Sequence, residues 1–524
     1  MRFPSRVAVL AALLPALFVF PAHAEKKTIC TITVNSSDEK DTFRQYLPRG
    51  EYQFVELVEK GRDDWLRSSC QKGIQCDALV ISGHFNAGET FYSDNIAKDE
   101  NLRVDELERA SCSNSCPGLF AKLKEVYLFG CESLNPDATQ YQSAYGESGR
   151  ERMRRLFGNV PAIYGFSGHA PVGPTAGALL GKYFSSGGGA EIATGRPNAR
   201  LLRQFSFNHM VVVSGVRDSD PGAQRRYDVC QFYDERSPAA KKLQFAHTLM
   251  RRSPKDARAF FERIEKMWAS FTDEERQSPG FSRALAEIAA DSTTRDRYLA
   301  VARESPRPEI RARMVKLAAN LAWLSPAEER AEYIRMVSDL VARDAMGFAE
   351  VDLVCSLNAN HELDADVAAS SLASLRTQKV ANLAAMACLG NRDAHAQVLR
   401  ALASPNDRDV QIAQVYLRNR PVTDPGELRA LALGIARMPG NIQVRALDTL
   451  GRFNIADREI LEELARAFAD TKSASVQRAI AEVFIRSDPK AISKRELVGV
   501  LRQHRIRSSG GEDLIDVLIR RLQS

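Results

Sequence analysis

The chain has 524 residues, a formal net charge of +6, 26% charged residues and 44% hydrophobic residues. Charge this close to neutral for the length, with no lysine/arginine block interleaved with aromatics, argues against nucleic acid as a partner. The length suits two or three domains.

In chain order, Arg2 and Arg6 precede an apolar core from Val7 to Phe20, and Ala22-His23-Ala24 forms a small-residue cleavage site. That is the pattern of a secretory signal peptide cut after Ala24. The core falls short of the roughly 18 apolar residues a membrane anchor needs. No later segment reaches that length either. The expectation is an exported protein, periplasmic or secreted, without a membrane span.

Short runs rich in branched and aromatic residues predict strands at Thr28–Val34, Tyr52–Val58, Ala78–Ser82, Val126–Phe129, Ala162–Phe166 and Met210–Val216. Between them, helical spacing marks Glu39–Tyr46, Asp63–Cys70, Val104–Ala110, Gly149–Phe157 and Thr175–Tyr183. This alternation predicts an α/β domain over residues 25–236, with a mostly parallel sheet flanked by helices. Ser185-Ser186-Gly187-Gly188-Gly189 lacks the lysine and hydroxyl of a phosphate loop and reads as a flexible loop.

Beyond Ser237 the strand-like runs vanish. Helical segments starting at Val380, Val410, Val444 and Val476 recur about every 30–34 residues. A period in that range means stacked helix pairs, so residues 237–524 are expected to form an all-α solenoid. The segments resemble HEAT repeats. Such surfaces bind protein partners, and no catalytic constellation is visible in them.

Nine cysteines remain in the mature chain, an odd number for an oxidising compartment. Cys30, Cys70, Cys76, Cys112, Cys116 and Cys230 can pair off and leave Cys131 as the reactive thiol. The spacing of Cys112 and Cys116, with Cys70 and Cys76, also suits zinc, but export favours disulfides. No metal or cofactor is expected. Pairing of Cys355 with Cys388 is left open. Equivalent positions of stacked repeats lie on the order of 10 Å apart, whereas a disulfide needs Cα atoms within about 7 Å.

Two of the predicted strands end unusually. Cys76-Asp77-Ala78-Leu79-Val80-Ile81-Ser82-Gly83-His84 delivers a histidine, and Glu125-Val126-Tyr127-Leu128-Phe129-Gly130-Cys131 delivers a cysteine. Parallel sheets bind ligands beyond the carboxyl ends of their strands. If these strands are neighbours, His84 and Cys131 can meet there as base and nucleophile. Gly83 and Gly130 suit a close backbone approach. Ser82, Glu132 and His169, the last in a second Ser-Gly-His, are further residues of the cleft.

The order apolar strand, Ser-Gly-His, about fifty residues, apolar strand, Gly-Cys-Glu-Ser resembles the caspase-like cysteine peptidases, among them caspases, metacaspases, legumains, gingipains, separases and CHAT domains. The resemblance covers roughly Lys27 to Arg217. It implies His84 as the catalytic histidine, Cys131 as the nucleophile, and the backbone amides of Phe85 and Cys131 as oxyanion donors. The implied activity is endopeptidase action on a protein or peptide substrate. Phe85 departs from the glycine usual in the family, and Phe129 stands where metacaspases carry an acid. The alternative reading is a non-catalytic protein of the same fold that binds partners through its solenoid.

Overall fold

The computed structural model describes residues 25–58, 66–86, 90–94, 100–112, 116, 118–137, 148–342, 345–364, 368–369, 379–438, 440–506 and 513–523. The expected signal peptide and the start of the helix expected at Asp63–Cys70 lie outside them. In the sheet-bearing part the strands are β1 (Lys27–Thr33), β2 (Tyr52–Glu56), β3 (Ala78–Ser82), β4 (His84–Phe85), β5 (Thr90–Tyr92), β6 (Asn101–Arg103), β7 (Glu125–Phe129), β8 (Ala162–Phe166) and β9 (Met210–Val213). The helices are α1 (Asp38–Tyr46), α2 (Arg67–Gln71), α3 (Val104–Ser111), α4 (Gly149–Leu156), α5 (Gly173–Ser185), α6 (Ala199–Gln204) and α7 (Ala223–Phe232).

Six strands form one sheet in the order β2-β1-β3-β7-β8-β9. The first five run parallel, and β9 closes the edge antiparallel to β8. Side chains alternate across a strand, so each strand feeds two cores. Cys30, Ile32, Leu79, Ile81, Val126 and Leu128 pack on one face with Val104 and Leu107 of α3 and Met153 of α4. Ile29, Val80, Tyr127, Phe129 and Tyr164 pack on the other with Phe43 of α1 and Leu180 of α5. Burial on both faces is why these strands read as continuous apolar runs.

A second, three-stranded sheet, β4-β5-β6, is one the sequence did not announce. Its strands have two or three residues each, too few for a period to show. The serine-glycine run after α5 is no flexible loop. Gly188 is buried, its carbonyl accepts from the Tyr183 hydroxyl at 2.6 Å, and a Cβ there would lie 2.3 Å from the Tyr183 ring.

Three disulfides tie this part together: Cys30–Cys76, Cys70–Cys116 and Cys112–Cys230, with Cα separations of 5.6, 5.1 and 5.3 Å. The six cysteines expected to pair do so, which leaves no zinc site among them.

The chain divides into two compact units, one running to Ala246 and adding Glu262–Arg276, the other holding His247–Phe261 and Gln277–Ser524. Within the first unit the buried carboxylate of Glu108 on α3 accepts from Arg155 at 2.9 Å and from Arg263 at 2.8 Å, and Arg152 lies 3.5 Å away. Burial alone would raise this carboxyl. The Arg263, Arg152 and Arg155 guanidiniums outweigh it and hold the group well below the ordinary carboxylate value. Asp105, one helical turn earlier, pairs with Lys266 and, at 2.9 Å, with Arg152.

The second unit is all helical. Helices Phe348–Ala359, Val380–Cys388, Asp407–Asn419, Gly440–Leu450 and Ala474–Arg486 pack successively in one layer. Pro425–Ala436, Arg458–Asp470 and Lys494–His504 form the other layer, as a solenoid requires. Asn391, Asp424, Asp457 and Ser473 each cap the helix they precede, accepting from backbone amides two or three residues on. Cys355 and Cys388, whose pairing the repeat spacing left open, form a disulfide with Cα atoms 5.1 Å apart. Small residues let the two helices approach. Ala381, Ala384 and Ala385 are buried, and the Asn358 amide donates to the Cys388 carbonyl at 2.7 Å. No helix among the described residues is long and apolar enough to cross a membrane. Four disulfides fit an oxidising, extracytoplasmic compartment.

Substituting Arg263→Met should lower the unfolding free energy by about 3 kcal/mol, because a buried charge loses a partner. The depressed Glu108 carboxyl contributes stability that is fully present above its ordinary value of 4.5 and is lost as pH falls through its lower folded value. Urea unfolding between pH 3 and 7 should therefore show the gap between wild type and variant constant at neutral pH and narrowing only well into the acid range. A gap independent of pH would contradict this account.

Candidate active site

The parallel pairing of β3 with β7 runs from Ala78 opposite Glu125 to Ser82 opposite Phe129. The ladder continues one step beyond the strands, since the Gly83 amide donates to the Phe129 carbonyl at 3.1 Å. Gly130 then lies against Gly83 and Phe85. A Cβ on Gly130 would sit 2.8 Å from the Phe85 Cβ and 3.1 Å from the Gly83 oxygen. No other residue fits. The next residues along the two chains are His84 and Cys131.

Val80 of β3 and Tyr127 and Phe129 of β7 belong to the core under α1 and α5. His84 lies two residues beyond Ser82 and Cys131 two beyond Phe129, at the same sheet edge. Among the described residues Cys131 is the cysteine outside a disulfide, and it is half-buried.

His84 opens β4 and pairs with Tyr92 across the small sheet. The two rings lie 5.4 Å apart between centroids. The imidazole Nε2 is 3.6 Å from the exposed carboxylate of Asp94. Asp94 is thus an acidic neighbour of the imidazole. No motif flagged it, because the strands that bring it there, β4 and β5, have only two or three residues each.

Phe85 points its bulk elsewhere. Its side chain is buried and stacks on Phe91 at 4.5 Å. The Asn86 amide bonds to the Thr90 carbonyl, which makes Phe85–Phe91 a non-hydrogen-bonded pair of the antiparallel ladder. The Phe85 N–H therefore faces away from β5.

The turn that carries Cys131 is fixed by its neighbours. Glu132 adopts a left-handed conformation with φ 56°, and its amide donates to the Gly168 carbonyl at 2.7 Å. Ser133 is buried and accepts from the Phe166 amide at 3.2 Å, while the Leu134 amide reaches the Phe166 carbonyl at 3.0 Å. Gly165 makes room, for a Cβ there would lie 2.7 Å from the Ser133 hydroxyl. The Ser167-Gly168-His169 loop is thereby laid beside the Cys131 turn, with His169 exposed.

Ser82 and Gly130 are buried and support the edge from beneath. Ser82 also touches a residue that sequence reasoning missed. The Glu39 carboxyl on α1 is buried, and desolvation pushes it up to about 7 despite a backbone hydrogen bond and one from Ser82. An acidic residue in the first turn of a helix reads as an ordinary surface charge, so nothing in the sequence singled it out.

The chain matches no family model, no curated protein and no solved structure.

Alkylation under denaturing, non-reducing conditions, read by mass spectrometry, should modify Cys131 alone. Eight further cysteines should become reactive after reduction, given four disulfides. Recovery of Cys131 in a disulfide would remove the nucleophile.

Proposed function

We propose that the protein is an exported cysteine endopeptidase of the caspase-like type, using Cys131 and His84. The observation that supports this reading is the β3–β7 register, whose last contacts, at Gly83 and Gly130, directly precede those two residues. Its chemistry would be acyl transfer. The Cys131 thiolate attacks the peptide carbonyl, and the amides of Phe85 and Cys131 receive the oxyanion. His84 protonates the leaving amine, then activates the water that releases the acyl group. Asp94, 3.6 Å from Nε2, holds the ring so that Nδ1 serves the thiol. Export rests on the Arg2–Ala24 pattern and on the disulfides. The solenoid would bind a protein substrate or partner along its surface. Phe85, the departure that favoured a non-catalytic reading, loses weight with its side chain in the core.

Peptide-library digestion by wild type, Cys131→Ala and His84→Ala tests this. Both variants should lose cleavage by about a thousand-fold or more. An exposed ion pair contributes about 0.2–1 kcal/mol, so Asp94→Asn should lower kcat by no more than roughly five-fold. Equal cleavage by wild type and Cys131→Ala would end the proposal.

A further inference from the structure

The sheet-bearing unit exposes five large apolar side chains among the described residues: Tyr46, Tyr92, Val172, Phe207 and Tyr227. Three of them, Tyr92, Val172 and Phe207, belong to the elements that surround the carboxyl ends of β3, β7 and β8. Phe207 is the extreme case, at 93% exposure. Its position is imposed from below. Phe205 is fully buried, with its ring 6.1 Å from those of both Phe129 and Phe166. The amides of Asn208 and Met210 both bond back to the Phe205 carbonyl, and His209 takes a left-handed conformation. The turn anchored by Phe205 thus holds Phe207 in solvent, beside the carboxyl end of β8.

The loops of this edge are joined to one another. The His209 carbonyl accepts from the Ser167 amide at 3.2 Å, and the Gly168 carbonyl accepts from the Glu132 amide at 2.7 Å. From the Cys131 turn through Gly168 to Phe207 the backbone is one bonded shelf. Val172, 65% exposed, lies at the far end of the same loop.

We infer that this shelf is a substrate subsite that takes an apolar or aromatic side chain of an extended peptide, with Phe207 as its main contact. The inference rests on the peptidase reading and adds the chemical class of the residue selected near the cut bond. Water-exposed aromatic surface at a catalytic edge gains most by covering an apolar partner. A charged side chain would gain nothing from Phe207.

Phe207→Ser tests it, with Val172→Ser as the control at the far end of the loop, since both side chains stand in solvent and the fold does not depend on them. Wild type and variants are given a peptide library randomised around the scissile bond, and binding of the same peptides to Cys131→Ala is measured in parallel. The expected result is cleavage beside apolar or aromatic residues. Phe207→Ser should lower kcat/KM for those peptides roughly ten-fold or more, with peptides carrying small residues unaffected. Cleavage with the same apolar preference in Phe207→Ser, or a wild-type preference for charged residues, overturns the subsite and leaves the peptidase standing. Phe207-dependent binding of apolar peptides without cleavage by wild type keeps the subsite and overturns the peptidase. Neither cleavage nor Phe207-dependent binding overturns both.

Discussion

Everything proposed for this molecule depends on how closely β3 and β7 approach at their carboxyl ends. In a parallel pair the strands ordinarily diverge once the ladder stops, and residues beyond it go their own ways. Here the contact of Gly130 with Gly83 and Phe85 extends the approach past the last paired residues. A methyl group on Gly130 would push the two chains apart at the ends from which His84 and Cys131 depart. The catalytic reading is thus a statement about backbone spacing before it is one about side chains.

That spacing is supported from several directions. Ser133 and Leu134 fasten the cysteine turn to the end of β8, and β5 fastens the histidine by pairing Tyr92 with His84. The small sheet leads through β6 straight into α3, whose Glu108 is held by three arginines. A fully buried carboxylate with several guanidiniums costs desolvation that its partners only partly return. What it supplies is a fixed location for the start of α3, and with it the end of the hairpin that carries His84. The short strands of the small sheet need such support, because two- and three-residue strands contribute little cohesion of their own.

The large features were legible because they recur. Six short apolar runs set between helical stretches, and repeats of about thirty residues, announce a sheet and a solenoid without knowledge of any contact. The histidine and cysteine stood out because each breaks the end of such a run. What escaped was whatever depends on tertiary closeness alone. Asp94 meets His84 through a hairpin too short to have a pattern, and Glu39 is buried only because α1 settles over Ser82. The Cys355–Cys388 bond escaped for a related reason. Repeat spacing gives an average distance between helices, whereas alanines at one interface set the local one.

The disulfide pattern carries a consequence for biogenesis. Cys30 pairs with Cys76 and Cys70 with Cys116, so the two bridges interleave along the chain. A polypeptide delivered N-terminus first presents Cys70 to Cys30 before Cys76 has arrived. Oxidation in order of appearance would therefore close the wrong ring, and the native pairing needs thiol–disulfide exchange afterwards. Cys112 then waits for Cys230, a partner 118 residues later. Throughout that interval Cys131 is a competing thiol. A compartment that isomerises disulfides, and does not merely form them, thus suits the interleaved pairing of this sequence.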